Sequence, residues 1–506
     1  MGNNFFKNTF IVFGCSVAAK ILAFVWEAVL AALLGVSEQA DAFYMTSGVM
    51  GILYPVIDIG IWKVFLPMYK TNMMQKSEGK VKRIADISLT FFFLVSIALV
   101  LFFIVFAKPI IYISAPGFSD EKAKMAIEFL RLAAPTYLLM ASTSVIAAIL
   151  QCHGRFFGSQ VRELGTHISK IIFILIFYNQ FGIYAAVYAM IIGSIFRLLI
   201  QLPFINWKWR FRPDFNFKDA DIKQMIKGLP SVALTSAINH INGLVDKMIA
   251  SGFVNGAVAC LNYGHRLMNV FSGMISTAIG TSTYPTIVQY IAENKSEKLR
   301  ELLTNIINVL SFFIVPITFF CSVFSKDLVK AAFQRGAFDS AATELTAGIF
   351  AGYCIGMLVI GLSTIITNVF YGYGDTRITL IISIIDVVLN IVLNLCLCTL
   401  LGAVGLAVAT SVSAIICFFV RMFFLRKYLT VHYGPMCKEF IKILIATVVS
   451  VLSVFALLEL IGVANVYVRV IIEVLLGAVV YFMLAKVLRL STMSVAISLI
   501  RKKIKK

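Results

Sequence analysis

Ionisable side chains interrupt long apolar runs of this chain, and they are the residues able to do chemistry there. Lys20 and Glu27 lie seven apart, on one helical face. Asp41 opens the next apolar run, which also contains Asp58 and Lys63, and Arg131 stands further on. Asp246 and Lys247 close a later run, and His265 and Arg266 lie inside the one after it. Asp386 is followed by Asn390 and Asn394 at i+4 and i+8, a ladder of oxygen-bearing groups on one face. Arg469 and Glu473 form an i,i+4 pair. Charges in hydrocarbon are costly and face a cavity or a partner. Lys20 and Arg266, set well inside their runs, suit an anionic headgroup such as a phosphate. Asp386, Asn390 and Asp246 supply oxygens for a cation; Asp386 with its asparagines reads equally as a hydrogen-bond seam between helices. His265 is a pH-sensitive neighbour or a hydrogen-bonded packing residue. Lys63, Lys247 and Arg421, near run ends, read as snorkelling cations, and Arg469–Glu473 as a buried ion pair.

No nucleophile, metal or nucleotide motif accompanies these charges, and no enzyme activity is expected. Tyr371–Thr376 (YGYGDT) lacks the Lys-Ser/Thr of a phosphate loop and reads as a turn, with HGRFFG at 153–158 as its counterpart. Cys396 and Cys398 are too close in sequence for a metal-site spacing. Most of the nine cysteines lie in apolar runs and read as packing residues. Asp120, Asp339 and Glu344, the carboxylates available to an external catalytic surface, read as turn or helix-start residues.

The elements that must position these groups are membrane helices. The chain has 506 residues, is 60% hydrophobic and only 14% charged, where a soluble domain is about a quarter charged. Apolar runs of spanning length fall near 9–35, 41–64, 84–107, 125–150, 162–179, 183–205, 226–252, 257–285, 303–324, 341–368, 377–400, 403–425, 440–461 and 464–488. The fold class is therefore an all-α integral membrane protein of about fourteen spans. The net charge of +19 fits basic cytoplasmic loops better than nucleic acid, which is not an expected partner. Lys76 to Arg83, Arg155 and Arg162, Lys208 to Lys227, Lys295 to Arg300, Arg377, Arg426, Lys427 and the tail Arg501 to Lys506 fall on one side. The other side has neutral turns or the mixed-charge stretches 108–124 and 326–344. The positive-inside rule puts both termini in the cytoplasm.

The chain is also duplicated. Glu27 pairs with Asp246, Tyr44 with Tyr263, Pro67 with Pro285, Phe118 with Phe338, Tyr137 with Tyr353, Gly154 with Gly372 and Gly182 with Gly402, at a nearly constant offset of about 218 residues. Each copy holds six spans, so the repeat is parallel, an architecture used by transporters that rock two bundles about a central site. The expected division is a first lobe at 1–218, a second at 219–430, and two further spans with a basic tail at 431–506.

AVACLNYGHRLMNVFSGMISTAIGTSTYP (257–285) and FQRGAF (333–338), with QADAFY (39–44), APGF (115–118) and FYGYGDTR (370–377), resemble the MurJ (MviN) lipid II flippases of the MOP exporter superfamily. The resemblance covers nearly the whole chain. It implies two MATE-like lobes around a cationic central cavity, a lipid-tail groove at spans 13–14, and alternating access driven by membrane potential or by Na+ or H+. The implied substrate is an undecaprenyl-diphosphate-linked peptidoglycan precursor, moved outward across the bacterial cytoplasmic membrane by a monomer in contact with membrane lipids. No cofactor is implied. Arg266 matches the family's span-8 arginine, Asp41 its acidic residue before span 2, Glu27 an acidic residue and Lys20 an arginine of span 1. With His265, these form the expected substrate-binding set. Trp26, Tyr54 and His265 stand where the family pattern has arginine, arginine and an acidic residue. The alternatives are a flippase for another undecaprenyl-linked oligosaccharide, such as a capsular or O-antigen-like unit, and a cation-coupled exporter of small molecules.

Overall fold

The computed structural model describes residues 2–205, 210–429 and 433–493. The start of the basic linker, with Lys208, and the tail Arg501 to Lys506 lie outside these residues. The described chain is helical, and it divides into two compact units, Met1–Ala259 and Cys260–Lys506.

The first unit contains α1 (Gly2–Leu34) and α2 (Glu38–Gly60), which continues through a π-helical turn, Ile61–Phe65, into α3 (Leu66–Gln75). Then come α4 (Glu78–Val105), α5 (Ala107–Ser114), α6 (Asp120–Ala133), α7 (Thr136–Cys152), α8 (Phe156–Phe181), α9 (Tyr184–Leu199) and α10 (Ala220–Ala250). Helix α10 packs along α2, within this unit. Helix α11 (Ala257–Ala292) leads into the second unit. There follow α12 (Ser296–Val323), α13 (Ser325–Phe333), α14 (Ser340–Gly372), α15 (Thr376–Leu401), α16 (Val404–Leu425), α17 (Tyr433–Ile461) and α18 (Val466–Val487).

Ten described helices are long and apolar enough to cross a membrane, or eleven when α6 and α7, bent by 40°, are taken as one span. The expected spans 162–179, 226–252 and 257–285 are present as the long helices α8, α10 and α11, which are not among those ten. All three are rich in charged or polar residues, so length and apolarity alone do not reach a count of fourteen.

The duplication is visible in the backbone of each unit. Both α8 and α15 end at a left-handed glycine, Gly182 (φ 54°) and Gly402 (φ 56°), a position that a side chain strains. Ser119 caps α6 through Lys122 N–H, and Asp339, 220 residues on, caps α14 through Ala342 N–H. The sequence pairing of Gly154 with Gly372 is corrected by two residues. Gly154 (φ 76°) and Gly374 (φ 75°) are the left-handed pair, because the turn, not the preceding helix residue, demands glycine. The mixed-charge stretches after α4 and α12 contain the short helices α5 and α13. One difference is local: the first copy breaks at Pro135, where α6 ends, while α14 runs unbroken for 33 residues.

The two helices beyond the repeat are fastened to α12. Tyr481 of α18 donates to the Phe312 carbonyl at 2.8 Å, amid Val315, Ile443, Ala446 and Ala485. Gly477 brings the α18 backbone against the Phe320 ring, and its carbonyl accepts from Ser450 at 2.9 Å. This is the close approach that small residues permit between membrane helices. The expected Arg469–Glu473 pair is present at 3.5 Å, and Asp327 of α13, at 3.0 Å, makes it a triad.

Candidate functional site

In the second unit, α11 exposes a polar face. His265, Arg266 and Asn269 are exposed, while Tyr263, Leu267 and Met268 on the opposite side are buried. The i, i+1, i+4 spacing sets the three on one side of the helix. Asn269 Nδ2 bonds the His265 carbonyl at 3.0 Å, and the His265 ring meets the edge of Tyr353 at 5.3 Å. Arg266 thus stands exposed on this face, next to His265, whose ring touches Tyr353 on one side.

The same unit holds an apolar cleft of about 820 Å³, lined by Ser311 and Val315 of α12, Leu362 of α14, Phe423 of α16 and Ile441 of α17. Arg426 and Asn308 are among its few polar residues. The resemblance puts a lipid-tail groove at spans 13 and 14. Here α17 lines the cleft together with α12, α14 and α16, and α18 packs instead against α12, α13 and α17.

On α15, Asn390 and Asn394 are fully buried and linked, Asn394 Nδ2 to Asn390 Oδ1 at 2.9 Å and Asn390 Nδ2 to Thr410 Oγ1 of α16 at 3.2 Å. The seam between helices is therefore formed. Asp386, one turn away, is half-buried beside Cys417 and within electrostatic reach of Arg421. Arg421 lies 3.4 Å from Ser363 Oγ of α14, so it turns toward its neighbours as well as toward the helix end. Asp246 is buried on α10, in the other unit. Among the described residues no group of three His, Cys, Asp or Glu side chains could hold a metal ion. Within YGYGDT the turn is 373–375, between the end of α14 and the start of α15, and it carries a cap: Asp375 accepts from Ile378 N–H and from the Tyr428 hydroxyl. The Tyr428 hydrogen bond holds its carboxyl below the ordinary range.

In the first unit Lys20 is exposed on α1, and Glu27, one face-repeat further, is buried and accepts from Tyr44 at 2.8 Å. Asp41 is fully buried at the start of α2. It accepts from Lys122 Nζ at 2.6 Å, from Gly256 N–H at 2.7 Å and from Ala259 N–H at 2.9 Å. Lys122 also reaches Asn255 at 3.3 Å and lies 4.5 Å from the Phe118 ring centre. Asp41 therefore ties the starts of α2, α6 and α11 into one knot, with its oxygens satisfied inside the fold.

A second cluster escaped the sequence reading. Arg162, counted there among loop cations, is buried on α8, because the helix begins at Phe156 rather than at 162. Its guanidinium donates to Ser144 of α7 at 2.9 Å and lies 3.5 Å from both Asp58 and Glu163. Arg197 of α9 joins Glu163 at 2.8 Å and donates to the Tyr54 hydroxyl at 2.7 Å. Lys170 sits 4.2 Å from the centre of the Trp26 ring. Trp26 and Tyr54, which stand where the resemblance puts arginine, are thus each met by a cation from α8 or α9. The signal available in the sequence was the run of Arg162, Thr166 and Lys170 at i, i+4 and i+8.

The model of the family described as lipid II flippase MurJ matches residues 30–499. A probable lipid II flippase MurJ of Buchnera aphidicola subsp. Schizaphis graminum is 25% identical over 422 residues, 82% of each chain. That of Rickettsia prowazekii is 23% identical over 420 residues, 81% of each. Among solved structures, a lipid II flippase MurJ in an inward closed conformation superposes with a TM-score of 0.80 at 21% identity, covering 94% of this chain and 98% of that one. An inward-facing MATE multidrug transporter of the MOP superfamily reaches 0.65 at 15% identity, covering 80% and 97%. The fold is that of these transporters, and the chain, a multi-pass membrane protein, belongs to the MurJ lipid II flippase family.

Proposed function

We propose that the protein carries lipid II, the undecaprenyl-diphosphate-linked peptidoglycan precursor, from the inner to the outer leaflet of the bacterial cytoplasmic membrane by alternating access, without covalent chemistry. The carrying observation is the exposed Arg266 in the polar stripe of α11, opposite the buried Tyr263, Leu267 and Met268. An exposed guanidinium on a polar helix face can take an anion, and its planar fork suits a diphosphate. The apolar cleft of about 820 Å³ between α12, α14, α16 and α17 has the chemistry for a polyprenyl chain. In this reading Lys20 is the first unit's contact with the headgroup, Asp41 positions helix starts, and Asp386 near the Asn390 seam is where a coupling Na+ or H+ would act. The termini are cytoplasmic and the monomer is the working unit.

The test is rescue of bacteria depleted of their lipid II flippase. Expression of this chain restores growth, and Arg266→Ala abolishes rescue while the protein still reaches the membrane at normal levels. Full rescue by Arg266→Ala removes the headgroup assignment. Failure of the unaltered chain despite good membrane expression shifts the substrate to another polyprenyl-linked glycan.

A further inference from the structure

A second cavity, about 530 Å³, opens at one end of the first unit between α3, α4 and α7. Its floor is apolar, built from residues such as Val81, Ile149 and Leu150. Its charged lining is Lys76, Lys82 and Arg155 against the single carboxylate Glu78. Lys76 also pairs with Asp221 of α10, so the remaining balance is positive. Arg155 is held in place, and Lys82 is exposed at the rim. Arg155 donates to the Phe204 carbonyl, and His153, in the same lining, shares a hydrogen bond with Tyr69 at 3.2 Å. Lys70 of α3 donates to the Cys152 carbonyl at 2.9 Å and fixes the end of α7 beside them. The His153 imidazole is held below its ordinary pKa by burial first, then by Arg155 and Lys70, against a weaker pull from Glu78.

An apolar floor under a cationic rim selects an amphiphile with an anionic head. The position, where helix ends and basic loops meet, is the headgroup level of a bilayer. The cavity has room for a phosphate, a glycerol and the first chain methylenes, but not for a glycan carrying a peptide. A free inorganic phosphate would leave the apolar floor unused. We infer that this cavity binds the headgroup phosphate of an anionic glycerophospholipid of the surrounding bilayer, through Lys82 and Arg155, at a place separate from Arg266 and the large cleft. Such a lipid holds α3, α4 and α7 together at that end of the unit.

The full-length protein is placed in phosphatidylcholine nanodiscs with graded phosphatidylglycerol, and retained lipid is counted by native mass spectrometry. The unaltered protein retains phosphatidylglycerol selectively. Lys82→Gln with Arg155→Gln weakens that retention by about tenfold. Lys295→Gln with Lys298→Gln, the same charge loss in the other unit, leaves it unchanged. Val81→Phe, which fills the floor without touching charge, also weakens it. Equal loss in both paired variants, or no loss in the first, overturns the site. If Lys82→Gln with Arg155→Gln does not fold, unchanged retention in Val81→Phe overturns it alone. A parallel arm offers undecaprenyl diphosphate in pure phosphatidylcholine. Loss of that lipid but not of phosphatidylglycerol in the variants assigns the cavity to the transported lipid and overturns the proposal.

Discussion

The two copies of the repeat share a backbone frame and fill it with opposite polar chemistry. In the first, α8 and α9 carry Arg162, Glu163 and Arg197, which join Asp58 and Tyr54 of α2 in an ionic cluster, and Lys170, which sits over Trp26 of α1. In the second, α15 and α16 carry Asn390, Asn394 and Thr410 in a neutral seam, with Asp386 at its end. Lys170 and Asn390 are equivalent, 220 residues apart and equally placed before the glycines that end their helices. The lesson is that the frame depends on glycines, caps and helix lengths, whereas the interior of each copy has diverged freely. Arg162 and Arg197 are matched by Asp58 and Glu163, which lowers the cost of placing charge among apolar helices. In the second copy the charges near the seam are fewer, Asp386 and Arg421, and they stand beside it rather than within it.

The largest expected break in this comparison is at Asp41. Lys122→Met leaves the Asp41 carboxylate buried without its cation, and removing one partner of a buried pair costs about 3–5 kcal/mol. The equivalent residue of the second copy is Ala342, so no corresponding pair exists there to break. A fall of many degrees in thermal unfolding of detergent-purified protein checks this, and a shift of only a degree or two would refute the knot. A smaller effect is expected at Arg197. Arg197→Met strips Glu163, which is about a third exposed, of its closest cation, so the cost is discounted to about 1–3 kcal/mol. Cys417→Ala, at the equivalent place in the neutral copy, costs about 1 kcal/mol or less. Equal losses at the two positions would mean the ionic cluster adds nothing. The smallest effect sharpens what the copies share. Gly182→Ala and Gly402→Ala, at φ 54° and 56°, each cost about 1 kcal/mol. Clearly unequal costs would show that one of the two turns is remade by its surroundings.

Much of this was readable from residue type and spacing. The apolar runs marked the helices, and the nearly constant offset marked the copies. Arg469 and Glu473 were expected to pair and do so. The count of fourteen spans was not reached on apolarity because α8, α10 and α11 carry much polar sequence. Arg162 was read as a loop cation for the same reason: a charge at the edge of an apolar run looks external until the helix is seen to begin earlier. The candidate site was half-readable. That Arg266 and His265 share a face follows from helical periodicity, but that the face is open, and that Asp41 is closed off, does not.

What the sequence determined by itself is whatever depends on near neighbours: membrane helices from hydropathy, faces from the 3.6-residue period, glycine where φ is positive, and a parallel duplication from a repeated order of motifs. What only the tertiary structure decided is which charge meets which. Lys122 and Asp41 are 81 residues apart, Arg197 and Tyr54 are 143, and Tyr481 and Phe312 are 169. The physical reason is that periodicity names the face a side chain occupies, while its partner is set by which other helix packs against that face.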